Sequence, residues 1–303
     1  MRVLVTGASG TVGSLVVPAL LERGATVRAL SRAPDARAFP IGVETAKGDL
    51  ELPHTLDGVF DDVDALLLYP HPEGAEEVVD RAARSGVRRI VLFSSASVDT
   101  DPDADVDGNL GHLHHRPVEE AVERSGLEWT HLRGGEFMIN DLDSHAGTVR
   151  DEGVFRSAHA GQPGAPVHEA DMADMAVAAL LRDGHRGRAY EITGPEPITP
   201  EQRAETIARV LEREVSFVPL SLEEARELWL AEGVPPQMCD WLLWEPDPAD
   251  EGREWAAGEI VSGDYERVMG HPGRDYARWV LDHADSFRRP DSDGTGSPTA
   301  PHR

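Results

Sequence analysis

The chain has one cysteine, Cys239, and one lysine, Lys47, among 303 residues. A single thiol excludes an internal disulfide and suits a reducing compartment. Positive charge is scarce. Against 55 Asp and Glu stand 29 Lys and Arg, nearly all arginine, for a formal charge of −26. A phosphate backbone demands a basic face, so nucleic acid is not an expected partner. Contact with a transcription factor would be protein to protein. No apolar run reaches membrane-spanning length. The N-terminus enters a strand with no basic or apolar signal segment, so the expected location is cytoplasmic, away from membranes. Tyrosine is sparse as well: Tyr69, Tyr190, Tyr265 and Tyr276. None has a lysine four residues on.

What the chain does have begins at its first residues. Residues 2–6, Arg-Val-Leu-Val-Thr, are apolar and β-branched, the mark of a buried strand. Gly7-Ala8-Ser9-Gly10-Thr11-Val12-Gly13 follows at once. Residues 14–23 then carry apolar side chains at helical spacing, Gly24 stops them, and residues 25–30 read as a second strand. Strand, glycine turn, helix, strand is half of a mononucleotide-binding unit. A helix start offers unpaired N–H groups and a positive dipole end to a pyrophosphate. A side chain at Gly7 or Gly10 would obstruct that approach, and Gly13 would let the helix pack close to the sheet.

Further along, residues 43–49, 63–69, 87–93, 127–132 and 189–193 read as strands, with helices at 73–85, 117–125 and 171–181. Asp171 is placed to cap the last of these. Apolar strands alternating with helices predict a doubly wound parallel sheet. Residues 97–110 carry five aspartates and read as an exposed loop. After Gly134 the pattern loosens. Thr199-Pro200-Glu201-Gln202 starts a helix with a threonine cap and proline at its first position. A short strand is expected at 215–219 and helices at 222–232, 237–244 and 273–287. Trp229, Trp241 and Trp244 are expected in the core. Residues 288–303 have no apolar anchor and read as a disordered tail.

The spacing Gly7-x-x-Gly10-x-x-Gly13 resembles the short-chain dehydrogenase/reductase superfamily, and residues 5–13 look like its atypical NmrA-like branch. Residues 27–32, 47–50, 125–133, 167–173 and 190–194 resemble that branch too. The likeness runs in order over residues 1–287. It implies a Rossmann-type α/β fold with a small C-terminal substrate-binding lobe. The dinucleotide-binding core would span 1–133 and the lobe mainly 134–166 and 195–287. The branch contains reductases and also cofactor-sensing regulators, so the likeness is informative for fold and cofactor and poor for substrate.

Within this frame the cofactor contacts expected are Gly7, Ser9, Gly10, Thr11, Val12 and Gly13 of the loop. An NAD site has an acid at the end of the second strand. Here Ser31 and Arg32 stand there, and a guanidinium suits a 2′-phosphate, so NADP(H) is the preferred cofactor, with NAD(H) possible. The resemblance gives Asp49 an adenine contact and Leu50 the ring face, although a turn aspartate needs no ligand. Tyr69 and Pro70 end the fourth strand over the ribose and phosphate region. Ser94, a candidate cofactor contact, and Ser95, a candidate catalytic residue, end the fifth, where classical members keep a catalytic serine followed by Tyr-x-x-x-Lys. The tyrosine place falls near Gly111 and the lysine place near His115. Members of the branch that reduce triphenylmethane dyes or quinones also lack the pair. His115, with Glu119 four residues on, is a candidate to hold the nicotinamide ribose or relay a proton near neutral pH. Phe137, Met138 and Asn140 are expected beside the nicotinamide and substrate, ordinary packing being the other reading for the first two. No metal site is expected, since the spacing of His112, His114 and His115 matches no ligand pattern. Cys239 is expected to be inert.

The function expected is NADPH-dependent reduction of a small quinone-like or otherwise apolar electrophile, with a homo-oligomer possible. The alternatives are a non-catalytic NAD(P) sensor, which the missing Tyr and Lys favour, and a biosynthetic enzyme using the cofactor without net redox change.

Overall fold

The computed structural model describes residues 1–35, 39–98, 109–243 and 261–288. Seven parallel strands form the main sheet in the order β3-β2-β1-β4-β5-β6-β8. They are β1 (Arg2–Val5), β2 (Thr26–Ser31), β3 (Glu44–Lys47), β4 (Ala65–Leu68), β5 (Arg89–Ser95), β6 (Glu128–Gly134) and β8 (Arg188–Ile192). The helices on its faces are α1 (Gly13–Glu22), α2 (Ala75–Arg84), α3 (Leu110–Arg124) and α5 (Glu169–Leu181).

Alternation along each strand builds two cores. Val3 and Val5 of β1 and Val91 of β5 join Val16, Leu20 and Met175 beneath α1 and α5. Leu4, Leu66, Ile90 and Leu92 point the other way and join Val79 and Val122 beneath α2 and α3. Both faces are covered at the centre of the sheet, so β1, β4 and β5 are largely apolar, as buried parallel strands require, whereas the edge strands β3 and β8 are more polar and partly exposed.

A third core lies outside the sheet. Met138, Val149, Phe155, Ile207 and Trp279 pack together. Its elements are a π-helical turn (Leu142–Ala146), α4 (Gly147–Glu152), β7 (Val154–Ser157), α6 (Pro200–Leu211), β9 (Ser216–Pro219), α10 (Tyr276–Asp282) and α11 (Ala284–Phe287). β7 and β9 pair in parallel as a separate two-stranded sheet. α6 has the anticipated cap: Thr199 Oγ1 accepts from the Gln202 amide, and the Gln202 side chain accepts from the Thr199 amide. α7 (Leu222–Ala231), α8 (Pro236–Leu242), α9 (Asp264–Met269) and a 3₁₀ turn (Pro53–Leu56) complete the described elements.

Some expectations needed correction. α3 begins at Leu110, seven residues before the expected start. Asn109 caps it by accepting from the His112 amide, and Pro117 sits inside the helix. α5 is capped by His168, whose Nδ1 accepts from the Ala170 amide at 3.1 Å, and not by Asp171. Asp171 is fully buried and pairs with Arg274. β7, the π-helical turn and α9 were not foreseen, and the expected helix 273–287 is two short ones. Trp241 is 36% exposed, whereas Trp279 is fully buried. Trp244, residues 99–108 of the acidic segment and residues 289–303 of the expected tail lie outside the described residues. Among the described residues no helix is long and apolar enough to cross a membrane.

Candidate active site

Strand order reverses direction between β1 and β4, and in such sheets ligands bind outside the carboxyl ends of the strands at that point. Thr6 ties the two strands together there. Its Oγ1 donates to the Leu67 carbonyl at 3.0 Å and accepts from the Tyr69 amide at 2.6 Å. Sequence reasoning counted Thr6 only as the end of a strand.

The glycine loop opens from this anchor. Gly7 has φ +60°, and a Cβ there would lie 3.3 Å from that of Tyr69. The Gly10 amide donates back to the Gly7 carbonyl at 3.0 Å. A Cβ on Gly13 would stand 2.2 Å from the same carbonyl oxygen. Gly13 therefore lets the start of α1 sit directly on the backbone that leaves β1, at Gly7 and Ala8. A Cβ on Gly10 would meet only that oxygen, at 3.2 Å. α1 begins with no capping side chain and no acid in its first turn. The Ser14 and Leu15 amides already donate to the Gly10 and Val12 carbonyls, so among the described residues the amides left open to an anion are those of Thr11, Val12 and Gly13.

Arg32 lies just past β2, exposed, with no hydrogen bond or ion pair among the described residues. Across the ladder, Ser31 pairs with Lys47. Asp49 is half-buried, and its Oδ1 accepts from the Glu51 amide at 3.1 Å, so the turn role is filled, and its other carboxylate oxygen has no partner among the described residues. Leu50, Leu68, Tyr69, His71 and Ala75 line a narrow, mostly apolar cleft with no room, as it stands, for even a water molecule. Tyr69 is 53% exposed, and Pro70 behind it is buried.

The second half of the sheet is built differently. Ser94 Oγ donates to Glu119 Oε1 at 2.7 Å, and Arg133 grips the same carboxylate through Nε and a terminal nitrogen at 2.9 and 2.6 Å. Arg116 adds a contact at 3.3 Å. Glu119 is fully buried, yet these donors hold its carboxyl below the usual range against a desolvation that pushes it up. Glu119 and Glu123 also lie with His131 in a group tight enough to bridge a metal ion. Arg116 and Arg133 already neutralise both carboxylates, so the group reads as an ion-pair network. Ser94 is thereby committed to Glu119.

His115 differs from expectation. Glu119 is taken by Arg133, and His115 Nδ1 is buried without a hydrogen-bond partner. Burial, with help from neighbouring His114, drives its ionisation down to about 4. It is a neutral imidazole at physiological pH, not a relay titrating between 6 and 7. Ser95 is half-buried and bonds Ser97. Phe137 packs its ring on Gly134. Met138 is 2% exposed within the C-terminal core, so of its two readings packing describes it. Asn140 is exposed.

Glu136, which follows the end of β6, is held by both terminal nitrogens of Arg203 at 2.6 and 2.7 Å. Arg203 also meets buried Asp141, which accepts from Tyr276 at 2.5 Å. This network fixes the segment carrying Phe137 and Asn140 against the lobe. The cradle closed by glycines, the uncapped helix start and the orphaned His115 nitrogen all suit a dinucleotide with its phosphates on the loop.

The model of an NAD(P)H-binding family matches residues 7–183, well over half the chain. The chain belongs to that family. This agrees with the atypical short-chain dehydrogenase/reductase likeness and its cofactor. Two relatives align over 94% of this chain and 99% of their own length. One, 36% identical, is a (4-alkanoyl-5-oxo-2,5-dihydrofuran-3-yl)methyl phosphate reductase of Streptomyces griseus. The other, 31% identical, is an NAD(P)H azoreductase of Xenophilus azovorans. An NADPH-dependent quinone oxidoreductase from Escherichia coli has the same fold, with a TM-score of 0.74 and 26% identity over 93% of this chain and 99% of that one.

Proposed function

We propose that this chain is an NADPH-dependent reductase of a small, apolar, quinone-like electrophile. The observation that carries the reading is that relatives named as reductases align end to end, on a chain whose glycine cradle is intact. The cofactor, when bound, supplies the hydride. The residues of the chain bind and orient it. The loop amides take the pyrophosphate and Arg32 takes the 2′-phosphate, which favours NADPH over NADH. Leu50 and Tyr69 flank the adenine side, with Asp49 at its edge. His115 Nδ1, neutral and unpartnered, accepts a hydroxyl of the second ribose. Phe137 and Asn140 border the substrate.

A quinone takes its protons from water, so the absence of Tyr-x-x-x-Lys does not prevent turnover. The charge of −26 argues against nucleic acid as partner. One buried cysteine suits the reducing cytoplasm. The test is loss of NADPH absorbance with a panel of quinones, azo dyes and butenolides, beside a calorimetric titration of NADPH. Turnover with at least one class is expected. Tight NADPH binding with no turnover would favour a sensor, or an enzyme without net redox change.

A further inference from the structure

The segment that borders the proposed substrate is acidic. Residues 134–145 run from the end of β6 into the π-helical turn. They carry Glu136, Asp141 and Asp143, and neither lysine nor arginine. Their one histidine, His145, is neutral at physiological pH, because burial drives its ionisation down to about 4. Asp141 is buried. Glu136 is not: its side chain is 42% exposed, although Arg203 holds both of its oxygens.

Glu136 cannot swing away. Its carbonyl accepts from the Val167 amide at 2.7 Å, and the Met138 amide donates to the Val167 carbonyl at 3.0 Å. The bidentate grip of Arg203 fixes the direction of the carboxylate as well as its distance. Gly164 makes room for the pair. A Cβ there would fall 2.6 Å from Glu136 Oε2 and 3.1 Å from a terminal nitrogen of Arg203.

The pair is lopsided. The Arg203 side chain is 7% exposed, against 42% for Glu136. The cation lies inside and the anion outside, just past the carboxyl end of β6, where ligands in this fold lie. Arg203 also meets Asp141 at 3.3 Å, so one guanidinium is shared by two carboxylates. Burial pushes the Asp141 carboxyl up. Even protonated, Asp141 leaves a pair whose negative end faces outward.

We propose that Glu136, positioned by Arg203, is a specificity-determining residue that admits neutral electrophiles and turns away those carrying a sulfonate, phosphate or carboxylate. The proposal rests on the reductase reading and narrows its substrate class. Close to a low-dielectric surface, a fixed carboxylate repels an anion more strongly than in bulk water. A like charge set against the wrong ligand is a direct means of rejecting it. A neutral ring, held by apolar contact at Phe137, does not feel it. The pyrophosphate is spared as well. Its loop follows β1, and β4 and β5 lie between β1 and β6. Three strand spacings are about 14 Å, more than the Debye length of about 8 Å at physiological salt.

The experiment measures NADPH-dependent reduction of a neutral naphthoquinone and of the same quinone sulfonated on its remote ring. The proteins are wild type, Glu136→Gln and Asn140→Arg, each at low and high salt. In the wild type, kcat/KM for the sulfonate is expected at least tenfold below that for the neutral quinone, and salt should narrow the gap. Glu136→Gln keeps an acceptor for Arg203 and loses the charge. It should narrow the gap severalfold through the KM of the sulfonate, with NADPH affinity within twofold. Asn140→Arg puts a cation on the same segment and should narrow the gap too, even if Glu136→Gln fails to fold. A purely structural Glu136 would lower both rates together and leave their ratio unchanged. Equal kcat/KM for the two quinones in the wild type would overturn the proposal and leave the reductase reading intact. So would a gap unchanged in folded Glu136→Gln, or, should that variant not fold, unchanged in Asn140→Arg. If the wild type reduces no quinone, butenolide or azo dye, the reductase reading fails and the proposal falls with it.

Discussion

The two halves of the sheet hold their side of the site by different means. At β1, β2 and β4 the site is made of backbone: a loop bonded to itself at Gly7 and Gly10, open helix amides, and one threonine stitch. At β5, α3 and β6 it is made of side chains: Ser94, Glu119, Arg133 and Arg116, around a carboxylate with no exposure. A phosphate is bound well by N–H groups that any sequence supplies, provided no Cβ intrudes. Chemistry on a substrate needs particular side chains, and these need a rigid support.

The largest test of this contrast is Glu119→Ala. It leaves two guanidiniums facing a buried void, and breaking a buried pair by removing one partner costs about 3–5 kcal/mol. Chemical denaturation should show that loss. Glu119→Ala combined with Arg133→Met should recover part of it. A loss below about 1 kcal/mol in the single variant would mean that the network is a solvated ornament.

Gly10→Ala should do the reverse. Its new Cβ meets one carbonyl oxygen at 3.2 Å and otherwise open space. The melting temperature should stay within about 2 °C. NADPH affinity should fall roughly tenfold to a hundredfold, about 1.4–2.8 kcal/mol, because the methyl stands where the phosphate approaches. A stability loss as large as that of Glu119→Ala would erase the distinction between the halves.

Acid offers a milder probe. His115 in α3 and His145 in the π-helical turn are both driven by burial to about 4. In the unfolded chain each would ionise near 6.5. Between those values the unfolded chain binds protons that the folded one refuses. Stability therefore falls as pH drops from about 6.5 to 4, by the order of 2 kcal/mol per histidine after allowance for screening. Both lie outside the nucleotide half. Hydrogen exchange at pH 4.5 should open α3 and residues 142–157 before β1 and β2. Loss of protection first in the nucleotide half would contradict this assignment.

The same contrast explains what the sequence disclosed. The strand–glycine–helix unit was legible because backbone-made sites advertise themselves as glycines at fixed spacing and as periodic apolar residues. Seven main strands and the Thr199 cap were readable for that reason. The partner of Glu119 was not. Its position four residues after His115 suggested an imidazole, but Arg133 on the facing strand won, because a bidentate guanidinium neutralises a buried carboxylate far better than a histidine that burial keeps uncharged. β7 was missed because its partner β9 lies some sixty residues on, and a four-residue strand outside the main sheet leaves no period to read.

The smallest expected effect concerns Arg32. It stands where an acid would grip a ribose hydroxyl, it is exposed, and no described residue engages it. Its guanidinium is thus available to a 2′-phosphate at no cost in broken ion pairs. Exposure limits the gain, since water and salt screen the contact. NADPH should bind more tightly than NADH, and Arg32→Ala should narrow the gap by about 1–2 kcal/mol, with NADH affinity almost unchanged. Raising the salt concentration should narrow the wild-type gap in the same direction and leave that of the variant nearly flat. Calorimetric titration of both cofactors at two ionic strengths reads all of this. Equal wild-type affinities would sink the NADP(H) preference. A preference that survives Arg32→Ala undiminished would move it to another cation at the same strand ends, and Lys47, paired across the ladder with Ser31, is the one to replace next.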